Sequence, residues 1–281
     1  MRRSYPLSLS LLIISLGASA DSAAPIAHLD PAGSIGPEVA GATGDALGFL
    51  FPVAGNVQGA FGTHFKSDIT IINYRDVPQR ISLQWWEQGK DNFFNSRKYL
   101  QVPAASSLTV EDVVGQVLGV TGIGAIEVEA VDSFGIIDTD GKLDGYSRIW
   151  TKQPNAEGTV SQSLPATHVF HLSGSDPAYI FGVRQNPDFR TNVAIVSTDT
   201  GKARTWDVTV NGSTGRTETF EITVQPTSFT QVAIPAGDFG HMTITLRPRA
   251  DVVSYWTAYA SSVDNRSGDG WISQATRPFK N

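Results

Sequence analysis

The chain has 281 residues, 41% of them hydrophobic and 17% charged, with no cysteine and a formal net charge of −6. That length supplies enough apolar surface for a real core, and the lack of cysteine excludes a disulfide scaffold. The acidic balance argues against nucleic acid and anionic membrane as partners, because both reward a basic face.

The N-terminus reads as an address. Arg2 and Arg3 precede an apolar run over residues 7–16, and Ala18-Ser19-Ala20 stands before Asp21. This is the pattern of a secretory signal peptide, residues 1–20, cleaved after Ala20. The run is well short of the ~20 apolar residues of a spanning helix, and no second such run occurs. The mature chain is therefore expected to be secreted (periplasmic or extracellular), without membrane insertion. Without Arg2 and Arg3, 19 bases face 27 acids, a net charge of −8. A bacterial setting is expected, since eukaryotic secreted β-domains of this size usually carry disulfides.

Residues 21–46 are rich in Ala, Gly and Pro and read as a flexible lead-in; the alternative is a strand that completes the first domain. Residues 47–53 predict a first strand, stopped by Ala54-Gly55-Asn56. Phe65, Ser67, Ile69 and Ile71 then alternate with Lys66, Asp68 and Thr70, a strand with one buried and one wetter face. Ile81, Leu83 and Trp85 alternate with Ser82, Gln84 and Trp86, so the two adjacent tryptophans face opposite ways. An irregular strand is expected over residues 91–102 and a short helix over 110–118, ended at Gly119. Ile126 and Val128 alternate with Glu127 and Glu129, and a strand pair is expected at 146–151 and 159–163.

The remainder repeats the style. Strands are predicted at 179–183 and 189–196, at Trp206/Val208/Val210, Phe220/Ile222/Val224 and Met242/Ile244/Leu246, and through Val253 to Tyr259 and Trp271 to Ser273. Short strands, frequent turn residues and almost no helical period define an all-β chain.

The chain also echoes itself. Phe65-Lys66-Ser67-Asp68 returns as Phe189-Arg190-Thr191-Asn192, each followed by β-branched residues. Val102-Pro103 matches Val224-Gln225-Pro226, Trp150-Thr151 matches Trp256-Thr257, and Ser161-Gln162 matches Ser273-Gln274. We expect two tandem sandwiches, residues 47–166 and 167–281, each near the ~100 residues of an immunoglobulin domain. Aligned on the tryptophans, the first repeat carries an extra loop at 131–145 and the second an extra loop at 261–269. Function usually sits on loops grafted onto a common scaffold, so these two form the expected contact surface.

The first of those loops holds Asp138, Asp140 and Asp144, carboxylates at a spacing that suits calcium. Lys142 and Ile149 stand where an EF-hand loop would place ligands. The competing reading is a solvated hairpin tip. For catalysis, no G-x-S-x-G elbow, cysteine nucleophile or H-E-x-x-H zinc site occurs, and no cofactor is implied. His168 and His171 fall on opposite faces of a strand and make poor joint ligands. Glu127 and Glu129 share a strand face at the ~7 Å that two residues of strand span, compatible with a glycosidase carboxylate pair. Trp86, Phe93, Phe94 and Tyr99 form an aromatic group that either stacks sugar rings or covers apolar surface.

The Gly-rich turn Gly59-Ala60-Phe61-Gly62, followed by the aromatic, base, hydroxyl and Asp/Asn block, resembles tandem immunoglobulin-like β-sandwich repeats of secreted bacterial proteins of uncharacterised function. The resemblance runs from Phe51 to the C-terminus and carries no catalytic residues. It implies a non-enzymatic structural, adhesive or binding module with a protein or glycan partner at a cell surface. Two further readings stand beside it. One is a glycan-binding module or glycan-active enzyme; the other is an oligomeric assembly built by strand donation at free sheet edges.

Overall fold

The computed structural model describes residues 48–59, 62–153, 157–169, 171–249 and 255–277. The expected signal peptide and lead-in lie outside the described residues. Within them the chain is all-β, with antiparallel sheets. The strands of the N-terminal half are β1 (Gly48–Gln58), β2 (His64–Asn73), β3 (Gln79–Glu87), β4 (Arg97–Val102), β5 (Ser106–Val110), β6 (Gly122–Val131), β7 (Leu143–Lys152) and β8 (Thr159–Pro165). Two short strands, β9 (Thr167–His168) and β10 (Leu172–Ser173), lead over. The C-terminal half has β11 (Ala178–Gln185), β12 (Phe189–Ser197), β13 (Arg204–Gly212), β14 (Thr217–Val224), β15 (Ser228–Ala233), β16 (Gly240–Pro248), β17 (Tyr255–Asp264) and β18 (Gly270–Gln274).

Strand order within the layers is the same in the two halves, although in the first half β1 also pairs with β2 (Val57 with Phe65) and joins the layers into one sheet. The layers β4-β3-β6-β1 and β5-β2-β7-β8 correspond to β14-β13-β16-β11 and β15-β12-β17-β18. Strand β9 adds to β1 and β10 adds to β17, so the crossover falls between His168 and Leu172. Each pair of layers encloses its own core. Phe51, Ile69, Ile71, Leu83, Trp85 and Ile126 fill the first. Trp206, Val208, Ile244, Val193, Ile195 and Trp256 fill the second. The expected alternation holds in β3, where Ile81, Leu83 and Trp85 point into the first core and Trp86 lies on the opposite, also buried, face.

Register explains the repeated hydroxyl. Phe51 pairs with Ile126 and Ile180 with Ile244, and in each half a bulge comes at once after them. A bulge leaves a backbone group without a ladder partner. Ser67 Oγ accepts from Gly55 N at 2.8 Å just past the first bulge. Past the second, Thr191 Oγ1 donates to the carbonyl of Arg184 and shares a 2.7 Å bond with Ser262 Oγ. The same bulge corrects the expected end of β1, because Ala54-Gly55-Asn56 continues the strand as far as Gln58. The expected helix is a short π-helix, Val113–Leu118, whose Gly115 N–H donates to the Asp112 carboxylate (3.2 Å) and which ends at Gly119 with φ 71°.

The tryptophan echo is out of register. Trp150 pairs with Lys66, whereas its supposed match Trp256 pairs with Ser197, seven residues along the motif from Arg190. An odd shift reverses the face, and Trp256 indeed lies in the core in the place of Leu143. The loops change accordingly. From Ile126 to Leu143 is 17 positions and from Ile244 to Trp256, the register equivalent of Leu143, is 12, so the first connection is longer by five residues. Residues 261–264 belong to β17, which leaves only 265–269 as a turn.

Ala105 and Thr227 end the equivalent turns into β5 and β15, with φ of 45° and 44°. Thr227 is β-branched, a poor residue for that region, and its buried Oγ1 has no partner among the described residues. Thr227→Gly should raise unfolding stability by about 1 kcal/mol in urea titration. An unchanged or lower value would show that the threonine methyl outweighs the strain.

Candidate functional site

The four aromatics expected to act together fall in three places, with only Phe93 and Phe94 in ring contact. Trp86 is 1% exposed and packs with Leu50, Ala125, Val196, Phe229 and Tyr259 in a seam between the halves. Buried there, it presents no open ring face. Phe93 and Phe94 sit in the β3–β4 loop, their rings edge to face at 4.8 Å, and Phe94 is 92% exposed. Tyr99, on β4, lies under the Arg80 guanidinium at 4.2 Å.

Asparagines hold the β3–β4 loop still. Asn92 is buried, accepts from Glu87 N (3.1 Å) and donates to Thr227 O (3.0 Å) across the seam. Asn95 Nδ2 donates to Trp85 O at 2.9 Å, and Gln84 Nε2 donates to Asn92 O at 3.0 Å. Phe94 is thus an apolar group on a fixed frame.

The β6–β7 loop has two parts. In the first, the Asp132 carboxylate accepts from Phe134 N (2.8 Å) and Ile136 N (2.9 Å), closing a tight turn. Arg80 anchors it by donating to Asp132 O (3.0 Å) and Ser133 O (2.6 Å). The turn projects Phe134, 87% exposed, and Ile136, 66% exposed, with Ile137 beside them. In the sequence the loop's acids overshadow these three; the apolar run Phe134-Gly135-Ile136-Ile137 inside a polar loop is the signal that could have found them.

In the second part, Asp138 pairs with Arg75 at 2.7 Å and also accepts from Gln79 (3.3 Å) and from Asp140 N (3.0 Å). The Asp140 amide first, and then Arg75 and Gln79, hold its carboxyl below the usual range. The Asp144 carboxylate accepts from its neighbour's amide, Gly145 N, at 2.7 Å. Among the described residues, no three acidic or imidazole side chains converge into a group that could hold a metal ion.

Glu127 and Glu129 both engage Arg97, Glu127 at 3.2 Å and Glu129 more closely, on the outer face of β6. Burial first, then the Glu129 charge, pushes the Glu127 carboxyl up from 4.5 to about 7, with Arg97 opposing. His168 lies on β9, while His171 Nδ1 is 3.1 Å from Thr257 Oγ1; burial lowers both imidazoles.

A cavity of about 180 Å³ opens in the seam, away from the β6–β7 loop. Val57, Phe65, Ile123 and Ile149 line one side and Tyr259 and Ile272 the other. Scanned against models of known families, the chain matches none, and a comparison with curated proteins finds no match.

Burial separates two of the aromatics energetically. Trp86→Ala should destabilise by about 3–5 kcal/mol, whereas Phe94→Ala should stay within about 0.5 kcal/mol of the parent; equal losses in denaturant titration would refute the separation.

Glu127 gives a pH test. Between about 4.5 and about 7 the folded chain keeps a proton that the unfolded chain has released. Its contribution is therefore full below the lower value and falls as pH rises through the window. Comparing wild type with Glu127→Gln at each pH cancels the opposing histidine terms. The variant should gain about 1–3 kcal/mol on the parent between acidic and neutral pH. A flat difference would show that Glu127 ionises normally.

Proposed function

We propose that the chain is an exported, non-enzymatic structural, adhesive or binding module made of two tandem immunoglobulin-like sandwiches. The observation carrying this reading is the β6–β7 loop, which presents Phe134, Ile136 and Ile137 on a turn locked by Asp132 and Arg80. Large apolar groups held outward on rigid frames mark contact surfaces. The identical strand order within the layers of the two halves supports the tandem reading. The grouping has its own character: the first strand of each half lies beside the sixth and the seventh beside the second, whereas immunoglobulin constant domains group ABED against CFG. The partner would be a protein or glycan of a cell surface, and the resemblance to secreted bacterial repeats agrees with that setting.

A second reading, glycan binding or glycan hydrolysis, is favoured by the exposed Phe93–Phe94 pair and by the raised carboxyl of Glu127. One experiment separates the two. The mature chain, Phe134→Ser/Ile136→Ser and Phe94→Ala are applied to arrays of envelope proteins and of glycans, with and without calcium. Binding should fall at least tenfold in the Phe134/Ile136 variant with its melting temperature unchanged. Glycan binding lost only in Phe94→Ala would favour the second reading, and equal binding by all three would overturn the loop assignment. A melting temperature raised by calcium would assign a cation to the Asp138, Asp140 and Asp144 loop.

A further inference from the structure

The seam cavity is the feature that the β6–β7 loop does not explain. At one end the seam is filled by Trp86, Phe229 and Tyr259, the last two stacked at 6.4 Å. At the other it is closed by Phe65 against Val263. Between them the walls fail to meet. The gap lies where β1 resumes after its bulge, at Ala54 and Gly55, opposite Gly122 and Ile123 of β6. The bulge bends β1 there while it stays paired with β6, and the glycines put nothing into the space.

The lining specifies a chemistry. It includes no Asp, Glu, Lys, Arg or His, and its surface is mostly aliphatic and aromatic. Two of its three side-chain amides are already half engaged. Gln231 Oε1 accepts from the Tyr259 hydroxyl at 2.9 Å, and Gln162 Oε1 accepts from the Ser261 hydroxyl at 2.7 Å. What these side chains have left to offer is N–H. A cavity of about 150 Å³ lined by apolar side chains stays dry and takes up a benzene ring, so about 180 Å³ has room for a ring bearing a small substituent. A charged ligand would meet no counter-charge there and would lose its hydration.

We propose that the seam cavity binds a small uncharged molecule, a single ring or a short alkyl chain, bearing one acceptor oxygen that meets the amide of Gln231. The site is separate from the β6–β7 loop and stands whether or not that loop binds a partner. Because residues of both halves form the walls, a ligand there stabilises their association and registers as stability of the whole chain.

The test uses the mature chain with three probes: toluene, acetophenone and benzoate. Toluene and acetophenone should raise the melting temperature saturably, and nuclear Overhauser contacts should link their protons to the methyls of Ile123, Ile149 and Ile272. Benzoate should do neither. Val160→Phe, which fills the cavity from β8, should weaken both neutral probes at least tenfold while keeping or raising the melting temperature of the free chain. Gln231→Leu should weaken acetophenone about fivefold or more and leave toluene unchanged, a readout that does not depend on how Val160→Phe folds. Absence of any shift or contact at millimolar probe would overturn the site. Equal binding of benzoate, or equal loss of both neutral probes in Gln231→Leu, would overturn the chemistry assigned to it.

Discussion

The rest of the structure depends on one contact, the burial of two sheet faces against each other. Leu50, Trp86 and Ala125 from β1, β3 and β6 meet Ala194, Val196, Phe229 and Tyr259 from β12, β15 and β17. The layers involved are not equivalent. The N-terminal half offers the sheet that contains its first strand, and the C-terminal half offers the other one. Such a head-to-tail contact does not close on itself and would propagate if both outer faces stayed apolar. They do not. The free face of the C-terminal half carries Arg249 bonded to Asp207 and Glu221, with the hydroxyl pairs Thr205–Thr223 and Thr209–Thr219. The free face of the N-terminal half carries Asp68 near Arg148 and the pair Thr70–Thr109. Polar outer faces end the stack at two, as capping repeats do in longer arrays.

The seam decides what the chemistry-bearing residues become. Trp86 supplies the large apolar area that joining two sheets requires. Asn92, one residue before Phe93, reaches across to Thr227, so the loop showing Phe93 and Phe94 is held partly by the other half. Gly89 N donates to Phe229 O at 3.0 Å, and Ser228 Oγ donates to Glu87 O at 3.3 Å, extending the zip. The cavity is the remainder of the same construction, left where a bulge and glycines stop two curved sheets from touching.

This also explains how far the sequence could be read. Alternation is legible where one side of a strand is wet, and β2, β13, β14 and β16 obey it. In β12 the run from Thr191 to Ser197 is buried throughout, because one side faces a core and the other faces the seam. Asn192 and Ala194 therefore look like ordinary solvent-side positions although both are enclosed. Echoes held where geometry enforced them, as at Val102 and Val224, which pair with Gln79 and Arg204 ahead of turns of the same left-handed conformation. The tryptophan echo failed because a two-residue match carries no register. With it went the second supposed insertion, while the first survived at a reduced length. Exposure of Phe134 was hidden for a further reason: a turn built on one carboxylate shows its outward side only once its hydrogen bonds are placed.

The repeated base shows the same dependence on surroundings at one position. Lys66 finds Asp112 at 2.7 Å, and that aspartate also caps the π-helix, so charge and capping are satisfied together. Arg190 occupies the matching place in β12. No helix comes after β15 to supply a carboxylate, and its Nη1 donates to the neutral amide of Asn265 at 2.6 Å. Its Nε and Nη2 are buried without a hydrogen-bond partner among the described residues, and burial lowers the guanidinium to about 10. A guanidinium tolerates this better than an ammonium would, since it is more weakly hydrated and spreads its charge over a plane. Lysine in the first copy and arginine in the second thus match what each environment supplies: a carboxylate in one, a single amide oxygen beside the seam in the other.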